Sequence, residues 1–347
     1  MPPGFPNASP IAWPWVNKRL VDAGASFPIP QRILILKPSS LGDVIHTLPA
    51  VAAIRAHWPT SEIAWLINSE WAPLLEGNPD INRIIEFPRR QFRGLRGWLR
   101  IPGWLATFGK WIPDLALDFQ GLLRTALIAR FVGAKKTIGL SDAREGASFF
   151  YQQTVRLPRG PLHAVDRYLR LTRELNVGDV KTPVFHLPEG NRPEGSIPGP
   201  FILLHPFSRG EGKSMETSDV VQLCRELQPL SVLLIGGEKT VASLPENVTN
   251  LLGKTTLAEL IWLIRHADFI VSVDSGPMHI AAAITSRLLS IHTWSDPFLV
   301  GPYNPNAWIW KNGAIVRMKD YRPSPVQKMD APTPAILAAF IKERPGA

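Results

Sequence analysis

The sequence is poor in cysteine: Cys224 is the only one in 347 residues. A lone thiol excludes an intramolecular disulfide and any metal site built from several cysteines, and it fits a reducing compartment. No stretch has the length of uncharged apolar sequence that crosses a bilayer. The opening "MPPGFPNASPIAWPWVNKRL" lacks a basic segment followed by an apolar one, so export is not expected. Glycine-rich phosphate fingerprints are missing too: there is no complete G-x-G-x-x-G and no G-x-x-x-x-G-K-[ST]. The absence of any D-x-D pair argues against a diphosphate bridged by a metal ion. Acidic residues are the scarcer charge, 29 against 38 Lys and Arg, for a net +9. That excess favours an anionic partner (nucleic acid, an acidic membrane face or a phosphorylated substrate) without choosing among them.

What is present is an alternation of short apolar runs with helical patterns. "RILILK" (32–37), "EIAWLIN" (62–68), "INRIIEFP" (81–88) and "DLALDFQ" (114–120) read as strands. Between and after them, "TLPAVAAIRAHWP" (47–59), "WAPLLEGNP" and "GLLRTALIARFVGA" (121–134) read as helices. The Pro- and Gly-rich segment 186–200 has no periodicity and reads as a linker, after which the alternation restarts at "FILLHP". The expectation is an α/β protein with two Rossmann-like, doubly wound domains facing a central cleft. Its parts are an N-terminal extension (1–30), a first domain (31–185), the linker, a second domain (201–325) and a C-terminal segment (326–347). The last ends in a helix expected to pack back toward the first domain. Two such halves put a ligand site between the carboxyl ends of both sheets.

Several strand ends carry polar residues. Asp43 follows "ILILKPSSLG" at the entry to a helix, where it either caps that helix or does chemistry. "FIVSVDSGPMHIAAAI" runs from a buried strand through Asp274, Ser275 and Gly276 into a helix. Its free N–H groups suit an anion, and His279 lies one turn on. "HPFSRGEGKSM" places Ser208, Arg209 and Lys213 on a loop, where a cation can neutralise a departing phosphate. Glu238 ends "LLIGGE", in a position to accept from a ribose hydroxyl. Each of these also has a plain reading, as an N-cap or a solvated loop. The stretch 88–111 holds six cations and no acidic residue, interleaved with Phe92, Trp98, Trp104 and Trp111. That suits anionic headgroups at a membrane surface, or nucleic acid, or a basic surface helix.

In combination and in order, several motifs resemble one family. They are "ILILKPSSLGDVIHTLPAVAAIR", "DFQGLLRTALIAR", "SDAREGASFFY", "HAVDRYLRLTREL", "GKTTLAELIWLIRHADFIVSVDSGPMHIAAA" and "SDPFLVGPY". Over roughly residues 32–340 the chain resembles the glycosyltransferase family 9 heptosyltransferases of lipopolysaccharide core assembly, most closely the heptosyltransferase I branch. The resemblance implies a GT-B fold, with the acceptor on the first domain and the nucleotide-sugar on the second. It also implies inverting transfer of L-glycero-D-manno-heptose from ADP-heptose to a Kdo hydroxyl of the inner core, with no cofactor and no metal. On matching positions Asp43 resembles the general base and Lys213 the cation facing the diphosphate. Ser208, Ser275, Gly276 and His279 look like the phosphate cluster, and Asp274 like the residue that orders that turn or contacts the sugar. Glu238 looks like the ribose contact, and Thr255 lies where the adenine pocket is expected. Ser40, Gly42, Arg89, Arg90, Arg93, Gln120 and Arg144 fall in regions that meet an acidic glycolipid acceptor.

The implied setting is cytoplasmic, held peripherally at the inner membrane through 88–111, as a monomer without a nucleic-acid partner. Departures from the family pattern are Met215 where an aromatic usually follows the lysine, an extra "GEG" before it, and "TWSDP" (293–297) in place of Gly-Pro-Thr-Asp-Pro. The competing classes are a related GT-B transferase with another donor or acceptor, and a two-domain nucleic-acid-binding protein whose binding falls steeply with salt.

Overall fold

The structure is a computed structural model that describes residues 28–92, 99–178, 180–197, 199–208, 212–323 and 331–344. Most of the N-terminal extension, Arg93, Trp98 and residues 209–211 therefore lie outside the described residues.

Six parallel strands form the first sheet: β1 (Arg32–Leu36), β2 (Glu62–Asn68), β3 (Arg83–Phe87), β4 (Leu115–Asp118), β5 (Lys136–Leu140) and β6 (Gln153–Val155). Their spatial order is β3-β2-β1-β4-β5-β6. β1 and β4 are buried on both faces, which is why they read as unbroken apolar runs. The helices are α1 (Leu41–His57), α2 (Ile101–Ala106), α3 (Leu123–Phe131) and α4 (Ala164–Arg173). The second sheet holds β7 (Phe201–His205), β8 (Ser231–Leu234), β9 (Val248–Asn250), β10 (Phe269–Val273), β11 (Leu288–Ile291), β12 (Trp308–Lys311) and β13 (Ala314–Arg317). Its order is β13-β12-β11-β10-β7-β8-β9, with only β13 antiparallel to its neighbour. Its helices are α5 (Thr217–Glu226), α6 (Leu257–His266), α7 (Gly276–Ile284), α8 (Pro297–Val300) and α9 (Pro334–Lys342). Both sheets share one winding, and each reverses direction between its first and fourth strands. Loops leaving β1, β4, β7 and β10 therefore open at the two switch points, where α/β sheets bind ligands.

Two expectations are corrected here. Helix α1 starts at Leu41, not Thr47, and carries Pro49 inside it. Proline removes one interior hydrogen bond, but Val44, Ile45, Leu48, Val51 and Ile54 all bury in the core, and that packing carries the helix through. The terminal helix α9 does not return to the first domain. It lies on α5, and its Leu337, Ala338 and Ile341 join the core of the second. Trp308 and Phe269 meet Phe340 there, so the apolar face finds its cover close by.

The linker region is tied to both halves: Asn78 Nδ2 donates to His186 O at 2.8 Å, and Arg265 donates to Leu187 O and Pro188 O. One apolar cluster runs across the seam, with Leu41 and Ile45 of α1 packed alongside Met278 and Ile280 of α7. Among the described residues no helix is long and apolar enough to cross a membrane.

Candidate active site

On the first domain, the end of β1 presents Lys37. Its Nζ donates to Phe119 O at 3.2 Å and to Tyr168 OH at 2.8 Å, and lies 3.8 Å from Asp43 Oδ1. Tyr168 in turn donates to Asp43 Oδ1 at 3.0 Å, and Ser40 donates to Asp43 Oδ2 from both its backbone N–H and its hydroxyl. Asp43 thus does what a third helical residue in a capping arrangement does. Its side chain is still 39% exposed, opening onto the cavity between the domains. Burial pushes the carboxyl upward, but Lys37, Ser40 and Tyr168 outweigh it and hold Asp43 below its ordinary value. For Lys37, burial wins over the attraction of Asp43 and brings the ammonium down to about 8. Burial, with Asp43 nearby, keeps the Tyr168 phenol protonated and a donor.

On the second domain, Lys213 Nζ lies 3.2 Å from Asp274 Oδ2 and 4.6 Å from the centre of the Trp294 ring. Ser275 caps α7 from extended backbone, and its hydroxyl sits 3.2 Å from His205 Nδ1. Ser208 Oγ donates to Asp274 O at 3.4 Å. Burial raises the Asp274 carboxyl, while His292, His279, Ser295 and Lys213 together bring it below its ordinary value.

A cavity of about 860 Å³ joins the two sets. Ser40, Gly42 and Asp43 line it from the first domain; Ser208, Lys213, Glu238, Asp274, Ser275, Gly276 and His279 line it from the second. Thr255 lies in an adjoining pocket of about 230 Å³ that shares Leu41, Gly237 and Pro277 with the larger one. Of the remaining acceptor candidates, Arg89, Arg90, Gln120 and Arg144 do not line the cavity, and Arg93 lies outside the described residues. Gln120 accepts from Ser39 N at 3.2 Å and so shapes the turn before Asp43. Arg144 is exposed, and its charge acts on Lys37. Arg89 and Arg90 stand exposed on a single 3-10 turn.

Trp104 and Trp111 differ from the expectation for 88–111, while Trp98 lies outside the described residues. Trp111 and Phe108 are buried, and Trp104 turns its Nε1–H to Glu86 O at 2.9 Å while stacking edge-on with Phe87 and Phe108. Packing buries Phe108 and Trp111, half-buries Trp104 and leaves Arg89, Arg90, Arg100 and Lys110 outside.

Gly276 and Gly42 act between the domains. A Cβ on Gly276 would stand 2.6 Å from Leu41 Cδ2, and one on Gly42 would stand 2.7 Å from His279 Cδ2. Each glycine lets the opposite helix start come close. Five further residues shape the site without having been singled out from sequence: Lys37, His46, Tyr168, His205 and Trp294. Lys37 and His205 carried a readable signal, a polar residue closing an apolar run at the end of a buried parallel strand.

Residues 112–329 match the profile of glycosyltransferase family 9 (heptosyltransferase). The chain belongs to glycosyltransferase family 9. Relatives include lipopolysaccharide heptosyltransferase 1 of Pseudomonas aeruginosa, 30% identical over 299 residues that span 79% of this chain and 81% of the relative. Lipopolysaccharide core heptosyltransferase OpsX of Haemophilus influenzae is 26% identical over 295 residues, 79% of this chain and 82% of that one. Among solved structures, E. coli heptosyltransferase WaaC with ADP superposes with a TM-score of 0.72 at 22% identity, covering 91% of this chain and 100% of that one. The fold is accordingly GT-B, and the protein is an enzyme of the glycosyltransferase class. Within this family 9 chain the departure after Lys213 acquires a reason. Met215 is buried in the second core, and the ring of Trp294 stands over the lysine.

Burial brings His205, His279 and His292 each down to about 4. The unfolded chain binds protons on these rings as pH falls below about 6.5, whereas the folded enzyme does not until about 4. Protons therefore favour the unfolded state across that window, and stability falls with pH through it. Thermal melts at steps from pH 7 to pH 5 test this: the Tm drops steadily, and a flat profile would mean the rings are not held neutral.

Proposed function

We propose that this enzyme transfers L-glycero-D-manno-heptose from ADP-heptose to a Kdo hydroxyl of the lipopolysaccharide inner core, with inversion and without a metal. The observation that carries the reading is the opposition, across one cavity, of an oriented carboxylate and an anion-binding strand end. Asp43 stands on one wall; Lys213, Ser275 and the start of α7 stand on the other. Asp43 accepts the proton of the acceptor hydroxyl as its oxygen attacks the anomeric carbon. The bond from that carbon to the diphosphate breaks, and the electron pair leaves on the phosphate oxygen. Lys213, the Ser275 hydroxyl and the Gly276 N–H at the start of α7 stabilise that charge; Pro277 has no N–H, and that of Met278 is taken by Ser275 O. Glu238 receives the ribose, and Thr255 borders the space for the base.

Relatives named lipopolysaccharide heptosyltransferase 1, and a WaaC structure solved with ADP-2-deoxy-2-fluoro heptose, support this choice of donor. Met215 and the "TWSDP" loop favour a second reading, a family member with another sugar nucleotide or a later acceptor. Exposed Arg89, Arg90, Arg100 and Lys110, with Leu99 at 83% exposure beside them, support contact with an anionic membrane face.

One experiment separates these readings: a panel of radiolabelled sugar nucleotides with Kdo-bearing lipid A, in detergent and in anionic vesicles. ADP-heptose alone gives product, faster on vesicles. Transfer from a different nucleotide-sugar, or only to a heptosylated acceptor, replaces the first reading with the second.

A further inference from the structure

His46 and His279 belong to different domains, on α1 and α7, and their rings meet across the seam. His46 Nε2 lies 3.0 Å from His279 Nδ1, with the rings edge to face at 81°. Both side chains are buried. Between two neutral imidazoles only one of the facing nitrogens carries a hydrogen, so the pair has two arrangements.

The surroundings of His46 distinguish them. His46 Nδ1 is buried and has no hydrogen-bond partner among the described residues. The next ring, His163, meets His46 edge-on at 5.6 Å, and its own nitrogens are taken by Gly301 O and Val165 N. Were His279 the donor, His46 would carry its hydrogen on Nδ1. That would bury an N–H without an acceptor, a costly state. The same arrangement would turn a bare lone pair on His279 Nε2 toward the cavity. The reverse arrangement avoids both: His46 donates from Nε2, and the hydrogen of His279 sits on Nε2. That edge of the ring lies against the first turn of α1, since a Cβ on Gly42 would stand 3.1 Å from His279 Nε2. His279 and Gly42 line the cavity together with Asp43 and Ser275.

We propose that His46 is a positioning residue: by donating to His279 Nδ1 across the domain seam, it holds His279 as the tautomer whose Nε2–H faces the diphosphate of the donor. This rests on the donor-site reading above. Burial, His279, His163 and Lys37 keep His46 uncharged; burial also lowers His279, against the pull of Asp274 and Asp43. His279 then acts as an oriented dipole, fixed by the hydrogen bond its other nitrogen makes.

The test uses the full-length enzyme with His46→Leu and His46→Gln. Long-range proton–nitrogen correlation on 15N-histidine protein, without substrate, reads the tautomer of His279 directly. Wild type shows hydrogen on Nε2, His46→Leu shows a mixture, and His46→Gln, whose amide N–H reaches the same nitrogen, restores the wild-type pattern. With ADP-heptose and acceptor, His46→Leu lowers kcat by about ten- to a hundredfold, the range for removing a group that orients a functional imidazole. His46→Gln recovers most of that loss, and matching thermal melts separate the effect from misfolding. Hydrogen on His279 Nδ1 in the wild type overturns the proposal, as do equal kcat values for the Leu and Gln variants. A wild type with the Nε2–H tautomer but no turnover of ADP-heptose supports the histidine pairing and overturns the donor reading instead.

Discussion

Asp43→Asn lowers transfer by about a thousandfold or more, the upper part of the range for a positioned general base, and leaves ADP affinity nearly unchanged. Asparagine keeps one side-chain oxygen that can accept from Ser40, while its NH2 replaces the oxygen that accepts from Tyr168, and the amide cannot take a proton. ADP is proposed to bind the opposite wall, so its affinity does not depend on this charge. The substitution also strips Lys37 of the carboxylate that pulls its ammonium upward. Its pKa falls below about 8, and the buried lysine moves toward its neutral form. Single-turnover rates together with calorimetric ADP binding make the measurement. Near-wild-type turnover in Asp43→Asn removes this carboxylate from the role of base, and lost ADP binding moves it to the donor side. Because Lys37, Ser40 and Tyr168 hold Asp43 below its ordinary value, the proposed base stays ionised throughout the neutral range. The acid limb of kcat/KM assigned to it therefore lies below the usual carboxylate range.

Lys213→Ala lowers kcat by about a hundred- to a thousandfold, the scale for deleting one charge-stabilising group from a closed site. The ammonium is confined by Asp274 at 3.2 Å and by the face of Trp294 at 4.6 Å. Both contacts orient it beside Ser275 without neutralising it from the cavity side. Lys213→Arg keeps the charge and can still meet Trp294 and Asp274, but spreads it over a longer planar fork that does not present a point charge at the same place. It recovers only part of the loss. Steady-state kinetics with saturating acceptor decides the matter: the loss falls mainly on kcat, because charge on the leaving oxygen develops in the transition state. An unchanged kcat with a raised KM would make Lys213 a binding residue only.

The strand ends were legible because their signal is local. A run such as "RILIL" is buried on both faces of a parallel sheet, and a small-residue turn with a polar side chain after it falls at the sheet's carboxyl edge. Asp43, Ser208, Asp274, Ser275 and Gly276 were found that way. The short strands β5, β6, β9, β12 and β13 were not, since segments such as "QTV" and "VTN" are too short and mixed to show a period. The aromatics of 88–111 misled for a related reason. A tryptophan beside arginines has the same sequence signature at a membrane face as in a packed segment; Trp104 sits half-buried in α2, and Trp111 is buried in the loop before β4.

By itself the sequence determined the alternation of strands and helices, the presence of two α/β halves and the polar residue at the end of each central strand. These follow from backbone sterics and burial within a few residues. Only the tertiary structure decided which of those polar atoms meet. Lys37 reaches Tyr168 across 131 positions and His46 reaches His279 across 233. Gly42 and Gly276 admit the opposing helix starts, and α9 closes on α5. Such pairings depend on how two sheets and two domains dock, which is set by the summed burial of many apolar side chains rather than by any local pattern. The carboxylate of Asp43 is a cap by its sequence position; the second domain opposite it places it on the wall of a shared cavity.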